Sequence, residues 1–230
     1  MMQIVIGQHN LDVGNAPCVA TIGNYDGVHL GHQSVIKHLS ERALSLNLPT
    51  TLVLFEPHPQ EFFHKQHAPS RIYTFREKVE LIRQAGIQRL VCLRFNQAFS
   101  QMLPEEFVQQ LLIDKLAVKH LVVGDDFRFG RDREGDFAFL NQYANRGDFS
   151  LEAMPTFEVD KSRVSSTRIR QALEQADFTL AEKLLGRAYS LSGRISHGQK
   201  LGRKLGFPTL NLPTRRLRSP LQGVYVVEVA

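Results

Sequence analysis

Residues 17–33, "PCVATIGNYDGVHLGHQ", decide what kind of fold this chain takes. "PCVATIG" (17–23) is a short apolar run stopped by glycine, which predicts a buried strand. "HQSVIKHLSERALSLN" (32–47) then places Val35, Ile36, Leu39, Ala43 and Leu46 on one helical face. Between strand and helix lies a turn bracketed by Gly23, Gly27 and Gly31, residues that let backbone approach a ligand closely. His32 stands about where the helix begins and His29 one turn before it, so a turn that is already helical puts both imidazoles on one side. The free N–H groups and positive dipole end of a helix N-terminus make such a place suited to phosphate oxygens. Metal ligation is a rival use, but it needs further ligands, and nothing nearby has the usual spacing. A plain surface turn is the third reading.

Outward from this stretch the pattern repeats. Strands are predicted at "TTLVLF" (50–55), "RLVCLRF" (89–95), "HLVVG" (120–124) and "FSLEAMP" (149–155). Helices are predicted at "TFREKVELIRQAG" (74–86), with Thr74 and Glu77 in capping-box spacing, at "PEEFVQQLLIDKLAV" (104–118), and at "FAFLNQYANRG" (137–147). Strands separated by helices imply an α/β fold, a parallel sheet with crossover helices, whose ligands gather beyond the carboxyl ends of the strands. "SSTRIRQALEQAD" (165–177) and "TLAEKLLGR" (179–187) read as two more helices. After Gly186 the texture changes to Gly, Pro, Ser and basic residues, with strand-like "AYSLSGRI" (188–195) and "GVYVVEVA" (223–230), which sets a domain boundary near 186.

Composition is that of a globular protein, with 43% hydrophobic and 22% charged residues. No apolar run is long enough to span a bilayer and no signal peptide is visible, so no membrane partner is expected. Cys18 and Cys92 sit in apolar stretches and read as small buried hydrophobes, for which a reducing, cytoplasmic setting is the default. The net charge of +5 is uneven: eight Lys or Arg and no Asp or Glu lie between Arg187 and Arg218, and the remainder is slightly acidic. That basic segment reads as a solvated face, as a binder of phosphate-bearing ligands, or as a nucleic-acid contact. Its aromatics, Tyr189, Phe207 and Tyr225, are too thinly spread for single-strand recognition, so no nucleic-acid partner is expected.

"GNYDGVHLGHQ" (23–33) resembles the G-x-F-D-G-x-H-x-G-H signature of the HxGH nucleotidyltransferase superfamily, with Tyr25 where Phe is common. "SSTRIR" (165–170) resembles that superfamily's second motif. "LFEPHP" (54–59), "VGDDFRFG" (123–130) and "GRKLGFPTLNL" (202–212) narrow the resemblance to the bacterial bifunctional riboflavin kinase/FAD synthetases, and it runs from about residue 1 to the end. The resemblance implies a Rossmann-like nucleotidyltransferase domain over residues 1–186. Residues 187–230 would then be the start of a small β-barrel kinase module.

The implied reaction joins ATP and FMN into FAD and pyrophosphate. The FMN phosphate is already an anion at pH 7, so no general base is needed. His29, His32 and Arg168 would be the catalytic groups, stabilising charge on the phosphates. ATP would meet Gly23, Asn24, Tyr25, Asp26, Gly31, Ser165, Ser166 and Thr167, with Asn24 and Tyr25 facing the adenosine and Asp26 fixing the turn. The serines also read as a plain helix cap. Flavin would meet Pro57, His58, Asp125, Asp126, Phe127 and Arg128, although the first two also read as a surface loop and Phe127 with Phe129 as core packing. Asp125 or Asp126 would help hold Mg2+ or a polar group of the flavin. In the second module Gly202, Thr209 and Asn211 would hold ATP phosphates and Mg2+. Riboflavin phosphorylation needs a base for a neutral hydroxyl, and the only acid in 187–230 is Glu228, so the expectation is FMN adenylylation without riboflavin phosphorylation. The alternatives are another HxGH nucleotidyltransferase, of cytidylyl or pantetheine-phosphate type, and a nucleic-acid-binding protein.

Overall fold

The computed structural model of the chain describes residues 1–11, 16–65, 67–196, 206–214, 216 and 218–229. The chain opens with β1 (Gln3–Ile6), a strand that the sequence pattern alone does not yield. β2 (Cys18–Ile22) follows, buried at all five positions, as a strand covered on both faces must be. α1 (Leu30–Leu46) starts two residues before its expected place, because His29 rather than a later residue caps it. Ile36, Leu39 and Ala43 are buried on its inner face, while Leu46 is exposed, since the helix ends there and Asn47 turns the chain in the left-handed region.

β3 (Thr50–Glu56) leads into a short α2 (Pro59–Phe63), where the sequence reads only a proline-bounded loop. α3 (Phe75–Gln84) has the expected cap: the Glu77 carboxylate accepts from the Thr74 N–H at 2.7 Å and the Thr74 hydroxyl accepts from the Glu77 N–H at 3.4 Å. β4 (Arg89–Arg94) and a single turn, α4 (Gln97–Ser100), come next. The expected helix from 104 begins as α5 (Pro104–Glu106) and widens into π-helical turns over Phe107–Lys115, burying Phe107, Val108, Leu111 and Leu112 together. β5 (Val118–Gly124) then begins earlier than expected. α6 (Phe137–Asn145), β6 (Ser150–Met154), the hairpin β7 (Glu158–Val159) and β8 (Ser162–Arg163), α7 (Ser166–Glu174) and α8 (Phe178–Leu185) complete the described regular elements.

Six strands form one parallel sheet in the order β1-β4-β3-β2-β5-β6. Alternate strand residues feed two cores. Ala20, Ile22, Leu121 and Val123 meet the π-helical segment and α6, while Val19, Leu52, Leu90 and Val122 meet α1 and α3. A third cluster joins α7 and α8 to Ile72, Tyr73 and Val164. The chain leaves β2 to build β3 and β4 on one side and returns to place β5 on the other, so the order reverses between β2 and β5. That is the crevice where open α/β sheets bind ligands.

The strands expected over 188–195 and 223–230 are not formed among the described residues, where one bridge, Ser196 to Asn211, is present. A strand requires a neighbour for its backbone. Over 188–195 the Tyr189 hydroxyl and the Ser192 backbone N–H donate instead to the Ile72 carbonyl and the Glu77 carboxylate, and Val224 and Val226 stand fully exposed.

Candidate active site

A cavity of about 390 Å³ opens where the sheet order reverses. Its floor is the carboxyl ends of β2 (Thr21, Ile22, then Gly23), β5 (Gly124, then Asp125) and β6 (Met154). The N-termini of α1 and α7 both reach it, through His29, Gly31 and His32 on one side and Ser165, Ser166 and Thr167 on the other. Two helix N-termini on one cavity give it unpaired backbone donors and positive dipole ends.

The histidines fix each other. The His29 Nδ1 accepts from the His32 backbone N–H at 3.3 Å, capping α1, and the two rings stack with centroids 3.7 Å apart. Gly31 makes this possible: a Cβ there would meet the His29 ring at 3.3 Å. Burial lowers the His29 pKa to about 4, with Asp26 opposing and Arg163, Arg187 and Arg170 reinforcing. Burial also holds His32 well below its usual value, with His29 and Lys78 adding to it. Both rings are therefore neutral at pH 7. Because His29 Nδ1 is an acceptor, its proton resides on Nε2. The His32 Nδ1 and the Asn24 Oδ1 are buried, belong to cavity-lining residues and have no hydrogen-bond partner among the described residues.

Asp26 holds the turn, as the sequence implies. Its carboxylate accepts from the Ile72 N–H at 3.3 Å and from Arg170 Nη2 at 2.5 Å, and its carbonyl accepts from the Ser166 hydroxyl at 2.8 Å. Tyr25 is part of the wall, buried, with its hydroxyl 2.8 Å from that of Thr21 and its ring 4.7 Å from His32. Ser165 is the α7 cap, accepting from the Arg168 N–H at 3.2 Å. Thr167 is exposed on the cavity wall. The guanidinium of Arg168 is not brought to the cavity: its Nη1 donates to the carbonyls of Val159 at 3.0 Å and Ser162 at 3.2 Å, tying down the β7–β8 hairpin. Arg170 lines the cavity in its stead, because two residues along a helix turn a side chain to a different face.

Of the residues expected to meet the flavin, His58, Asp125, Asp126 and Phe127 line the cavity, while Pro57 and Arg128 do not. His58 Nδ1 accepts from the Gln60 N–H at 3.1 Å, capping α2, and burial lowers its pKa to about 4. Arg128 pairs instead with Asp136 at 3.0 Å. Asp126 is paired with Arg163, and Asp125 accepts from the Thr156 hydroxyl at 3.4 Å. Phe127 lines the cavity and stacks on the buried Phe129 at 5.5 Å.

Two contributors escape sequence reasoning. Lys78, only 3% exposed, donates to the Asn24 carbonyl at 3.0 Å, and burial lowers its pKa. Its signal was a lysine four residues before the buried Ile82 on the apolar face of α3. Arg163 belongs to a two-residue strand and carried no signal. Thr209 and Asn211 are exposed and Gly202 lies outside the described residues. No group of three or more His, Cys, Asp or Glu suited to a metal occurs among the described residues. No helix among them is long and apolar enough to cross a membrane. Of the basic residues after 186, Arg187 and Arg216 are turned inward onto carbonyls and Glu77.

Two families match the chain in succession. The FAD synthetase family matches residues 12–168 and the riboflavin kinase family matches residues 185–230. A bifunctional riboflavin kinase/FMN adenylyltransferase of Pseudomonas fluorescens is 50% identical over 228 residues, covering 99% of this chain and 73% of the relative. One of Escherichia coli (strain K12) is 45% identical over 231 residues, with the same coverage of each chain. Among solved structures, one described as a macrolide-efflux protein from Streptococcus pneumoniae superposes with a TM-score of 0.78 at 28% identity, covering 94% of this chain and 70% of the other.

Proposed function

Because this chain belongs to the bifunctional riboflavin kinase/FMN adenylyltransferase family, we propose that the cavity at the β2–β5 crevice is where it transfers AMP from ATP to FMN. The chain is an FMN adenylyltransferase, a maker of FAD, and the phosphorylation of riboflavin is its family's other activity. Residues 1–186 are assigned to the first reaction and 187–230 to the kinase module.

An oxygen of the FMN phosphate attacks the α-phosphorus of ATP, the bond from that phosphorus to the bridging oxygen breaks, and pyrophosphate leaves. The nucleophile is already an anion, so the protein's task is alignment and charge stabilisation. The observation that carries this reading is the neutral, stacked His29–His32 pair at the N-terminus of α1, facing the N-terminus of α7 across one cavity. His29 Nε2–H and His32 would donate to the α-phosphate and the departing pyrophosphate. Thr167 and the free N–H groups of α7 would receive phosphate oxygens, and Asn24 the adenosine, while the Ser166 hydroxyl stays on the Asp26 carbonyl. Arg168 would have to leave the hairpin carbonyls to reach a phosphate, so we assign the phosphate-facing guanidinium to Arg170 or Arg163. His58, Asp125, Asp126 and Phe127 would face the flavin.

Mg2+ would offset charge on the ATP phosphates. In the second module the side-chain oxygens of Thr209 and Asn211 are exposed and of the type it prefers. Free, buried Cys18 and Cys92 fit work in a reducing cytoplasm.

The test is chromatography of products after incubation with FMN, ATP and Mg2+. FAD and pyrophosphate are expected, with no product when phosphocholine or phosphopantetheine replaces FMN. Absence of FAD would reject the assignment. A parallel incubation with riboflavin and γ-labelled ATP tests the family's other activity, with FMN as the product sought.

A further inference from the structure

The turn that delivers His29 is strained, and what holds it comes from far along the chain. Gly27 has φ 85 and Val28 has φ 40, and a β-branched residue in the left-handed region persists only where its surroundings insist on it. Two side chains do so. Arg187 donates from Nη2 to the Gly27 carbonyl at 2.6 Å and from Nη1 to the Val28 carbonyl at 3.0 Å. Gln33, in the first turn of α1, donates from Nε2 to the same Val28 carbonyl at 2.9 Å. Both also bind the Leu185 carbonyl at the end of α8, Arg187 at 3.1 Å and Gln33 at 2.8 Å.

The Arg187 guanidinium lies over the Tyr73 ring at 5.1 Å, has no carboxylate partner among the described residues, and keeps a buried Nε without an acceptor. A half-buried arginine committed to three carbonyls and a ring is a fork holding a backbone in place, not a free surface charge. The next residue after the held carbonyls is His29. Gly186 permits the approach: a Cβ there would meet the Leu30 Cδ2 at 2.6 Å, and its φ of 72 turns the chain from α8 onto the turn. Arg187 lies beyond the stretch matched to FAD synthetase, within that matched to riboflavin kinase.

We propose that Arg187 and Gln33 are positioning residues for adenylyl transfer: they clamp the Gly27 and Val28 carbonyls and so aim the His29 imidazole into the cavity. The inference rests on the assignment of His29 to that reaction. Lysine keeps the charge of Arg187 but cannot span two carbonyls and stack on Tyr73. Arg187→Lys is therefore expected to lower kcat for FAD formation by roughly 10- to 10²-fold, the scale of an ångström-sized misplacement, with KM for ATP little changed. Gln33→Met loosens the same clamp from the other side. It is expected to move kcat in the same direction by less, and it serves as the readout if Arg187→Lys fails to fold.

Each variant is also made in a His29→Ala background. If the clamp acts through His29, it has no further effect there, whereas a general structural role multiplies through. Equal losses in the two backgrounds, or full activity in both single variants, would overturn the proposal while leaving the His29 assignment intact. Full activity of His29→Ala alone would instead reject that assignment.

Discussion

His29 shows how one residue can be cap, wall and donor at once. Its Nδ1 closes the first turn of α1, its face stacks on His32, and that leaves Nε2–H as the group it can offer to a ligand. Replacing either His29 or His32 with Ala should lower adenylyl transfer by roughly 10²–10³, the effect of removing one preorganised donor. Steady-state FAD formation checks this, and full activity in both variants would refute the roles assigned to them. Burial also makes these rings report on pH. His29 and His58 have folded pKa values of about 4 against an ordinary 6.5. Between those values the unfolded chain binds more protons than the folded one. Their contribution to stability is therefore complete above about pH 6.5 and is lost as pH falls toward 4. The urea midpoint should drop across that window, and His29→Gln, which keeps an N–H but cannot titrate, should make the drop shallower. An unchanged slope in that variant would contradict the buried, neutral ring.

At the scale of elements, α7 separates what the sequence could and could not tell. The motif "SSTRIR" marked a phosphate-facing helix start, and the helix does begin at Ser166 on the cavity. Which arginine faces inward depends on the packing of α7 against Ile72, Tyr73 and α8, and a linear motif carries no packing. Arg170 is 12% exposed against an Asp26 that is 6% exposed. Arg170→Ala would strand a buried carboxylate, at a cost of about 3–5 kcal/mol. Arg168→Ala removes hydrogen bonds to two hairpin carbonyls, a loss of about 1–3 kcal/mol. Urea denaturation should rank Arg170→Ala as the worse, and the ATP dependence of the rate should follow it. The reverse order would restore Arg168 to the cavity. The same logic covers the rest of the fold. The five strands read from their short runs, the cap at Thr74 and the helix start at Pro104 are written in local chemistry, so they were legible. β1 was not: it is four residues long, only Val5 is buried, and pairing with β4 rather than its own pattern makes it a strand. α2 and Lys78 depend likewise on distant neighbours, Arg71 bridging Glu56 and Glu61 in one case and the Asn24 carbonyl in the other.

Across the whole molecule, the change of composition near 186 invites a picture of two modules joined end to end, yet the residues after 186 are built into the first. Tyr189 donates to the Ile72 carbonyl at 3.1 Å, Ser192 N–H to Glu77 at 2.7 Å, and Arg216 Nη2 to Glu77 at 2.7 Å. The Arg216 and Glu77 side chains are 2% and 8% exposed, so this is a buried pair rather than a surface bridge. It sits on the strip that underlies the cavity: Ile72 N–H binds Asp26, and Lys78, next to Glu77, binds the Asn24 carbonyl. Losing Arg216 would leave the Glu77 carboxylate to Thr74 and Ser192 alone, a cost of about 1.5–3 kcal/mol for a charged hydrogen bond. Because that strip carries the turn, the damage should reach the chemistry. Arg216→Ala should lower the urea midpoint and also slow FAD formation, although Arg216 does not line the cavity. Glu77→Gln keeps the side-chain size but turns an amide N–H onto donors that the carboxylate now accepts from, so it should lower both measurements as well. If Arg216→Ala leaves the midpoint and the rate unchanged, the segment after 186 does not brace the adenylylation site in solution.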